Sequence, residues 1–135
     1  MKHIARFFFS PYGRTGRRLY WLFFILPLTT LVFGITLYQR MSGQILPLEV
    51  LLVLSPILLW SQGAVIARRL QDIGAPGGLA LVFILTPLAL LLLGFGELGG
   101  KVQFALFLAT LALGAIPGQK GANRFGPDPW ARDAT

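Results

Sequence analysis

The chain has 135 residues, enough for one domain, and it is 55 % hydrophobic but only 13 % charged. A soluble domain carries about 25 % charged residues, so the polar side chains are too few to cover a water-exposed surface. The net charge is +7, from 12 Lys and Arg against 5 Asp and Glu, and there is no cysteine, which excludes disulfides, thiolate catalysis and zinc–thiolate sites.

A membrane helix needs about 20 mainly apolar residues to cross roughly 30 Å of hydrocarbon. Ahead of the first such stretch, Phe7, Phe8 and Phe9 follow basic residues and precede Pro11, the pattern of a short segment lying on the inner leaflet. The first span is predicted over 19–38, free of formal charge. It is longer than the apolar core of a signal peptide and no A-x-A-like site follows it, so it reads as a retained anchor. The second span is predicted over 45–67 with Glu49 as its only charge, the third over 78–95, and the fourth, shortest, over 102–117. An earlier start of the fourth, in the Gly-rich loop before it, is the alternative. Beyond it Asn123, Gly126, Pro127 and Pro129 forbid a regular helix and favour a turn, so the tail is irregular.

The basic residues sort by side. Lys2, Arg6, Arg14, Arg17 and Arg18 precede the first span, Arg68 and Arg69 follow the second, and Lys120, Arg124 and Arg132 follow the fourth. The other two loops hold only Arg40 and Lys101. Cytoplasmic loops carry the excess of Lys and Arg, so this split predicts four crossings with both termini cytoplasmic. The expected fold is an all-α membrane protein: one domain over 1–135, a four-transmembrane-helix bundle with a short interfacial N-terminal segment and an irregular cytoplasmic tail. Tyr20, Trp21, Tyr38, Trp60 and Trp130 fall near span ends, where amphipathic rings anchor at the interface.

Lipid gives helices no hydrophobic reason to associate, so small residues and a few polar contacts must hold the bundle. Gly63 and Ala67 have small-xxx-small spacing, and Ala105, Ala109 and Ala112 share one face. Thr29, Thr30, Ser55, Ser61, Gln62, Thr86 and Thr110 read as interhelical hydrogen-bond formers in preference to a permeation path. Pro27, Pro56 and Pro87 lie inside three spans and each removes a backbone donor; packing kinks and a cavity between helices are both open.

Three charged stretches fall on the cytoplasmic side: Gly13–Trp21 (GRTGRRLYW), Ala67–Gly74 (ARRLQDIG) and Gly121–Pro129 (GANRFGPDP). Arg68 and Asp72 are spaced i,i+4, and Arg69 and Asp72 i,i+3, so either pair can meet on a helix. Asp128 can accept from Arg14 or Arg17. These residues predict a cytoplasmic cap in which Asp72 and Asp128 pair with Arg14, Arg17, Arg68, Arg69 or Arg124. In order and spacing the three stretches resemble the DUF805 family of bacterial inner-membrane proteins, a domain of unknown function. That family has a G-R-x-x-R-x-x-Y-W approach to its first helix, an R-R-L-H-D-x-G segment and an N-R-[FY]-G-P-D-P tail. Gln71 stands where the family often carries His, and Ala75–Gly78 replaces a stretch ending in S-G-W. The resemblance implies the four-helix fold and a bacterial inner-membrane location; it implies no activity.

Functional expectations follow from the charge. Arg14, Arg17, Arg18, Arg68, Arg69, Asp72, Asn123, Arg124 and Asp128 form a candidate cap or a site for anions and lipid headgroups, since each basic residue near an anionic leaflet contributes on the order of 1 kcal/mol. The expected partners are anionic membrane lipids, with a second copy or another membrane protein as alternatives. Nucleic acid is not expected, because the aromatic residues sit at the bilayer interface and offer no stacking platform. No catalytic constellation, metal set or cofactor motif is visible, so the chain reads as a non-enzymatic accessory or assembly factor. The competing reading is a small oligomeric transporter or channel, proton-coupled through Glu49, because an acid within a span is a functional candidate. A proton-coupling role stands against a bland one, in which Glu49 snorkels outward or pairs with Arg40 or Lys101.

Overall fold

The computed structural model describes residues 2–129, with side chains from residue 5 onward except at Leu51. The expectations for Trp130 and Arg132, and for the Lys2 side chain, lie outside the described residues. In chain order the helices are α1 (Lys2–Phe9), α2 (Arg17–Ser42), α3 (Leu48–Asp72), α4 (Gly77–Leu92, opening with a 3-10 turn) and α5 (Gly96–Ala115). Among the described residues the only strand-like pairing is a single antiparallel bridge between Asn123 and Gly126.

Helices α2, α3 and α5 are long and apolar enough to cross a membrane, whereas α4 is apolar but shorter. At 1.5 Å per residue, α2 and α3 reach almost 40 Å, α5 about 30 Å and α4 about 24 Å. The short member is therefore the third expected span and not the fourth. Its C-terminus retreats to Leu92 because the chain turns at Gly94, whose φ of +83° suits glycine. The fourth starts early, at Gly96 in the Gly-rich loop. Two helices outrun their expected ends: α2 continues to Ser42 and is closed by Gly43 in the left-handed conformation, and α3 continues through Arg68 and Arg69 to Asp72, whereas α3 starts only at Leu48 and α5 stops at Ala115, short of the expected 45 and 117.

Proline leaves a visible mark on α2. Residues Trp21–Ile25 form a π turn just ahead of Pro27. Pro27 donates no N–H and its ring crowds the carbonyl four residues back; widening the preceding turn relieves that crowding. The hydroxyls of Thr29, Thr30 and Thr110 donate to carbonyls three or four residues earlier in their own helices. They satisfy themselves locally instead of bridging helices, contrary to the sequence expectation.

The packed core lies at one end of the bundle. Tyr20, Phe24 and Ile25 of α2 meet Val65, Ile66, Ala67 and Leu70 of α3, Ala80 of α4 and Leu113 of α5. α1 docks on the same end: Phe7 packs edge-on against Phe23 with ring centroids 6.1 Å apart. Farther along the helices the apolar side chains face outward, among them Leu26, Phe33, Leu52, Val53, Leu92 and Phe104. Such a band suits hydrocarbon and exceeds what a water-exposed monomer carries. Two packing expectations meet different fates. Gly63 and Ala67 are buried, but Ala105 and Ala112 are exposed, and α5 packs instead through Thr110, Leu113 and Gly114.

Gly63 permits the close approach of α3 and α4, because a Cβ there would lie 2.5 Å from Ile84 Cδ1, while a Cβ at Gly34 would meet open space. Gly63→Val is expected to cost about 1–3 kcal/mol by overpacking and to lower the thermal midpoint in detergent. Gly34→Ala should leave that midpoint unchanged or slightly raised.

Candidate functional site

A helix leaves its last four carbonyls without intrahelical donors. At the packed end of the bundle two such C-termini, those of α3 and α5, arrive together, and the three charged stretches supply the missing donors. Arg69, fully buried on the last turn of α3, reaches across to α5. Its Nε donates to the Leu113 carbonyl at 2.8 Å, Nη2 donates to the Ile116 carbonyl, and Nη1 donates both to the Thr15 carbonyl at 3.1 Å and to Asp72 Oδ2. A cation at a helix C-terminus also favours the helix dipole.

Asp72 is fully buried between two guanidinium groups. Arg14 Nε donates to its Oδ1 at 3.0 Å, opposite Arg69. The i,i+3 pairing thus forms, while Arg68, the i,i+4 candidate, turns to α1, where its Nη1 donates to the Arg6 and Phe7 carbonyls at 3.0 and 3.3 Å. Trp60 Nε1 donates to the Phe9 carbonyl at 3.0 Å. The C-terminus of α1 is capped in this way by two side chains of α3.

The remaining groups of Arg14 hold the segment that leaves α5: Nη2 donates to the Gln119 carbonyl and Nη1 to the Gly121 carbonyl. This segment also reads the end of α3. The Gln119 N–H donates to the Asp72 carbonyl at 2.8 Å, and Asn123 Nδ2 donates to the Gln71 carbonyl at 2.9 Å. Thr15 N–H donates to the Arg68 carbonyl at 3.3 Å. Gly118 passes so close to the Asp72 carboxylate that any Cβ would collide with it. Asp128 closes the tail turn by accepting from the Gly121 N–H at 2.8 Å.

Gln71 joins the first stretch to the second. Its Oε1 accepts from the Gly13 N–H at 3.0 Å and its Nε2 donates to the Pro11 carbonyl at 3.1 Å. Both contacts are made by a neutral amide, which carries no titrating proton.

The expected cap residues are therefore gathered, but in two populations. Arg14, Arg69 and Asp72 are buried and committed to internal hydrogen bonds, and Arg68 and Asn123 are half-buried. Arg17, Arg18 and Arg124 are exposed on the rim, with Lys120 beside them in the tail. Arg124 lies 4.6 Å from the Phe125 ring centroid. Two participants were read from sequence only as interface anchors. Tyr20 is fully buried and its hydroxyl donates to the Thr110 carbonyl at 3.0 Å; Trp21 Nε1 donates to the Gly114 carbonyl at 3.0 Å.

Glu49 sits at the other end of the bundle, exposed in the first turn of α3, where an acid favours the helix dipole. Lys101, one of its expected partners, pairs with Glu97 at 2.8 Å on the surface of α5. No group of three potential metal ligands occurs among the described residues.

Removing one partner of a buried ion pair leaves the other uncompensated, at a cost of about 3–5 kcal/mol. Asp72→Asn and Arg69→Ala are expected to lower the thermal midpoint sharply or prevent recovery of folded protein in mild detergent, and Gly118→Ala to behave similarly. Arg69→Lys should not rescue, since an ammonium cannot span carbonyls and carboxylate as a planar guanidinium does. Arg18→Gln, on the exposed rim, should unfold within a degree or two of the parent. Equal midpoints for Asp72→Asn and Arg18→Gln would refute the cap as the fold's tie.

Two Escherichia coli proteins resemble the chain, the uncharacterized protein YiiR of strain K12 and the YiiR of O157:H7; each is 31 % identical over 134 residues, an alignment that covers 93 % of this chain and 89 % of the relative. No solved structure matches. The family model described as a protein of unknown function (DUF805) matches residues 8–127, a range that takes in all three stretches of the cap up to Pro127, and the chain belongs to that family.

Proposed function

We propose that the chain is a multi-pass protein of the bacterial inner membrane, crossing four times with both termini in the cytoplasm. In this reading it acts as a non-enzymatic accessory or assembly factor whose basic cap engages anionic lipid headgroups. The observation that carries the reading is the division of labour among the arginines. The buried ones are consumed by the fold, while Arg17, Arg18, Lys120 and Arg124 stay exposed around the end where the three basic stretches meet. Arg40, Glu49, Glu97 and Lys101 lie at the opposite ends of the helices. With α2, α3, α4 and α5 all running between these two ends, four crossings follow if α4 also spans. Its length of about 24 Å needs only a modest local thinning of the bilayer.

Two measurements test the reading. The chain has no cysteine, so single cysteines report topology directly. Ser42→Cys should react with a membrane-impermeant maleimide added outside spheroplasts, and Lys120→Cys only after permeabilisation; the reverse pattern would overturn the orientation. Replacing Arg17, Arg18, Lys120 and Arg124 together by Gln should leave the protein folded yet reduce the enrichment of phosphatidylglycerol over phosphatidylethanolamine that co-purifies with it. At about 1 kcal/mol per charge the loss should be well over tenfold, and an unchanged lipid ratio would overturn the headgroup role.

A further inference from the structure

The rim is not uniform. Between the start of α2 and the end of α5 runs an open groove of about 560 Å³, lined by Arg17, Arg18, Trp21, Leu22, Gly114 and Ala115. We propose that this groove is a specific seat for one anionic phospholipid, its phosphate held by Arg17 and Arg18 and the start of an acyl chain lying along Trp21 and Leu22. The proposal rests on the headgroup reading above and narrows it from a diffuse rim to one site.

The order of chemistry along the groove selects the ligand. Two consecutive arginines that both line the groove come first, and neither has an acceptor among the described residues. One helical turn farther on come an indole ring and an aliphatic side chain, both exposed. A ligand that satisfies both parts is anionic at one end and apolar at the other, as a phospholipid is and a free phosphate is not. Trp21 is a fixed wall, because its Nε1–H is held by the Gly114 carbonyl at 3.0 Å and its ring lies where a Cβ on Gly114 would come within 2.8 Å of it. Trp rings of this kind sit at headgroup level, which sets the depth of the seat.

Electrostatics favour an anion here. The buried group behind the groove contains two guanidinium groups against one carboxylate, so it keeps a net positive charge. Arg17 lies near enough to Arg69 for their charges to repel. A phosphate between Arg17 and Arg18 offsets that repulsion, and paired guanidinium contacts to phosphate are strong and directional. The carbonyls at the end of α5, which would otherwise disfavour an anion, are already engaged by Arg69 and Trp21.

Native mass spectrometry of the full chain, exchanged into mild detergent with equal phosphatidylglycerol and phosphatidylethanolamine, tests the seat. The expected result is one retained phosphatidylglycerol per chain. Arg17→Gln/Arg18→Gln should weaken its retention by about tenfold or more, while Lys120→Gln/Arg124→Gln leaves it within about twofold. The single Arg18→Gln keeps the comparison available if the double variant folds poorly, and its loss should be intermediate. Excess inorganic phosphate should fail to displace the lipid. If the two double variants weaken retention equally, or if inorganic phosphate displaces the lipid, the seat is overturned and the diffuse headgroup reading survives. If neither lipid is preferred by the parent chain, both readings fall.

Discussion

Everything at the ordered end of this protein depends on one buried carboxylate. Asp72 sits between Arg14 and Arg69, and all three are removed from solvent. Burying charges is costly even when they are paired, so the arrangement survives only if the remaining guanidinium N–H groups find acceptors. Those acceptors are the carbonyls that helix ends and turns leave over: Leu113 and Ile116 at the end of α5, Thr15 before α2, and Gln119 and Gly121 in the tail. Two unfavourable conditions, unpaired helix ends and a buried excess of positive charge, thus relieve one another. Neither arginine can be replaced by a group with fewer or less rigid donors without exposing some of those carbonyls again.

This tie has a particular value in a membrane. Apolar helices in lipid gain nothing from burying one another's side chains, and beyond the core most of the apolar residues here face outward. The bundle is fastened at one end, where the helices leave the apolar stretch, and the fastening uses polar groups that would be poorly tolerated in mid-membrane. α1 is drawn into the same assembly, because Arg68 and Trp60 of α3 cap its last turn while Phe7 packs on Phe23. A segment that the sequence presents as merely interfacial is thereby attached to the folded domain.

How much of this was legible follows from what each feature leaves in the sequence. Apolar stretches mark helices, and all of them appear; their ends shift where the signal is conformational, as at Gly94, or where charged residues continue a helix, as Arg68 to Asp72 do. The Arg69–Asp72 contact was legible as an i,i+3 pair. Its third member was not, because Arg14 lies 58 residues from Asp72, and five arginines were equal candidates on charge alone. Least legible were the backbone carbonyls, which carry no side-chain signature. The same holds for Tyr20: placement at a span end suggests an interfacial ring, yet its hydroxyl finds the Thr110 carbonyl and the ring is buried.

Two arginine doublets show why counting basic residues says little about what each one does. Arg68 and Arg69 are adjacent on α3, yet one caps α1 and the other α5, because successive residues on a helix point about 100° apart. Arg17 and Arg18, at the start of α2, both remain exposed beside a groove. All four raise the positive charge at one end of the helices. Arg69 does so permanently, as part of the fold, where it and Arg14 carry two charges that Asp72 only half cancels. That residual charge reinforces the exposed pair. The end of the molecule that is structurally tied is also the end that is electropositive, and a change aimed at the tie would alter the charge presented at that end as well.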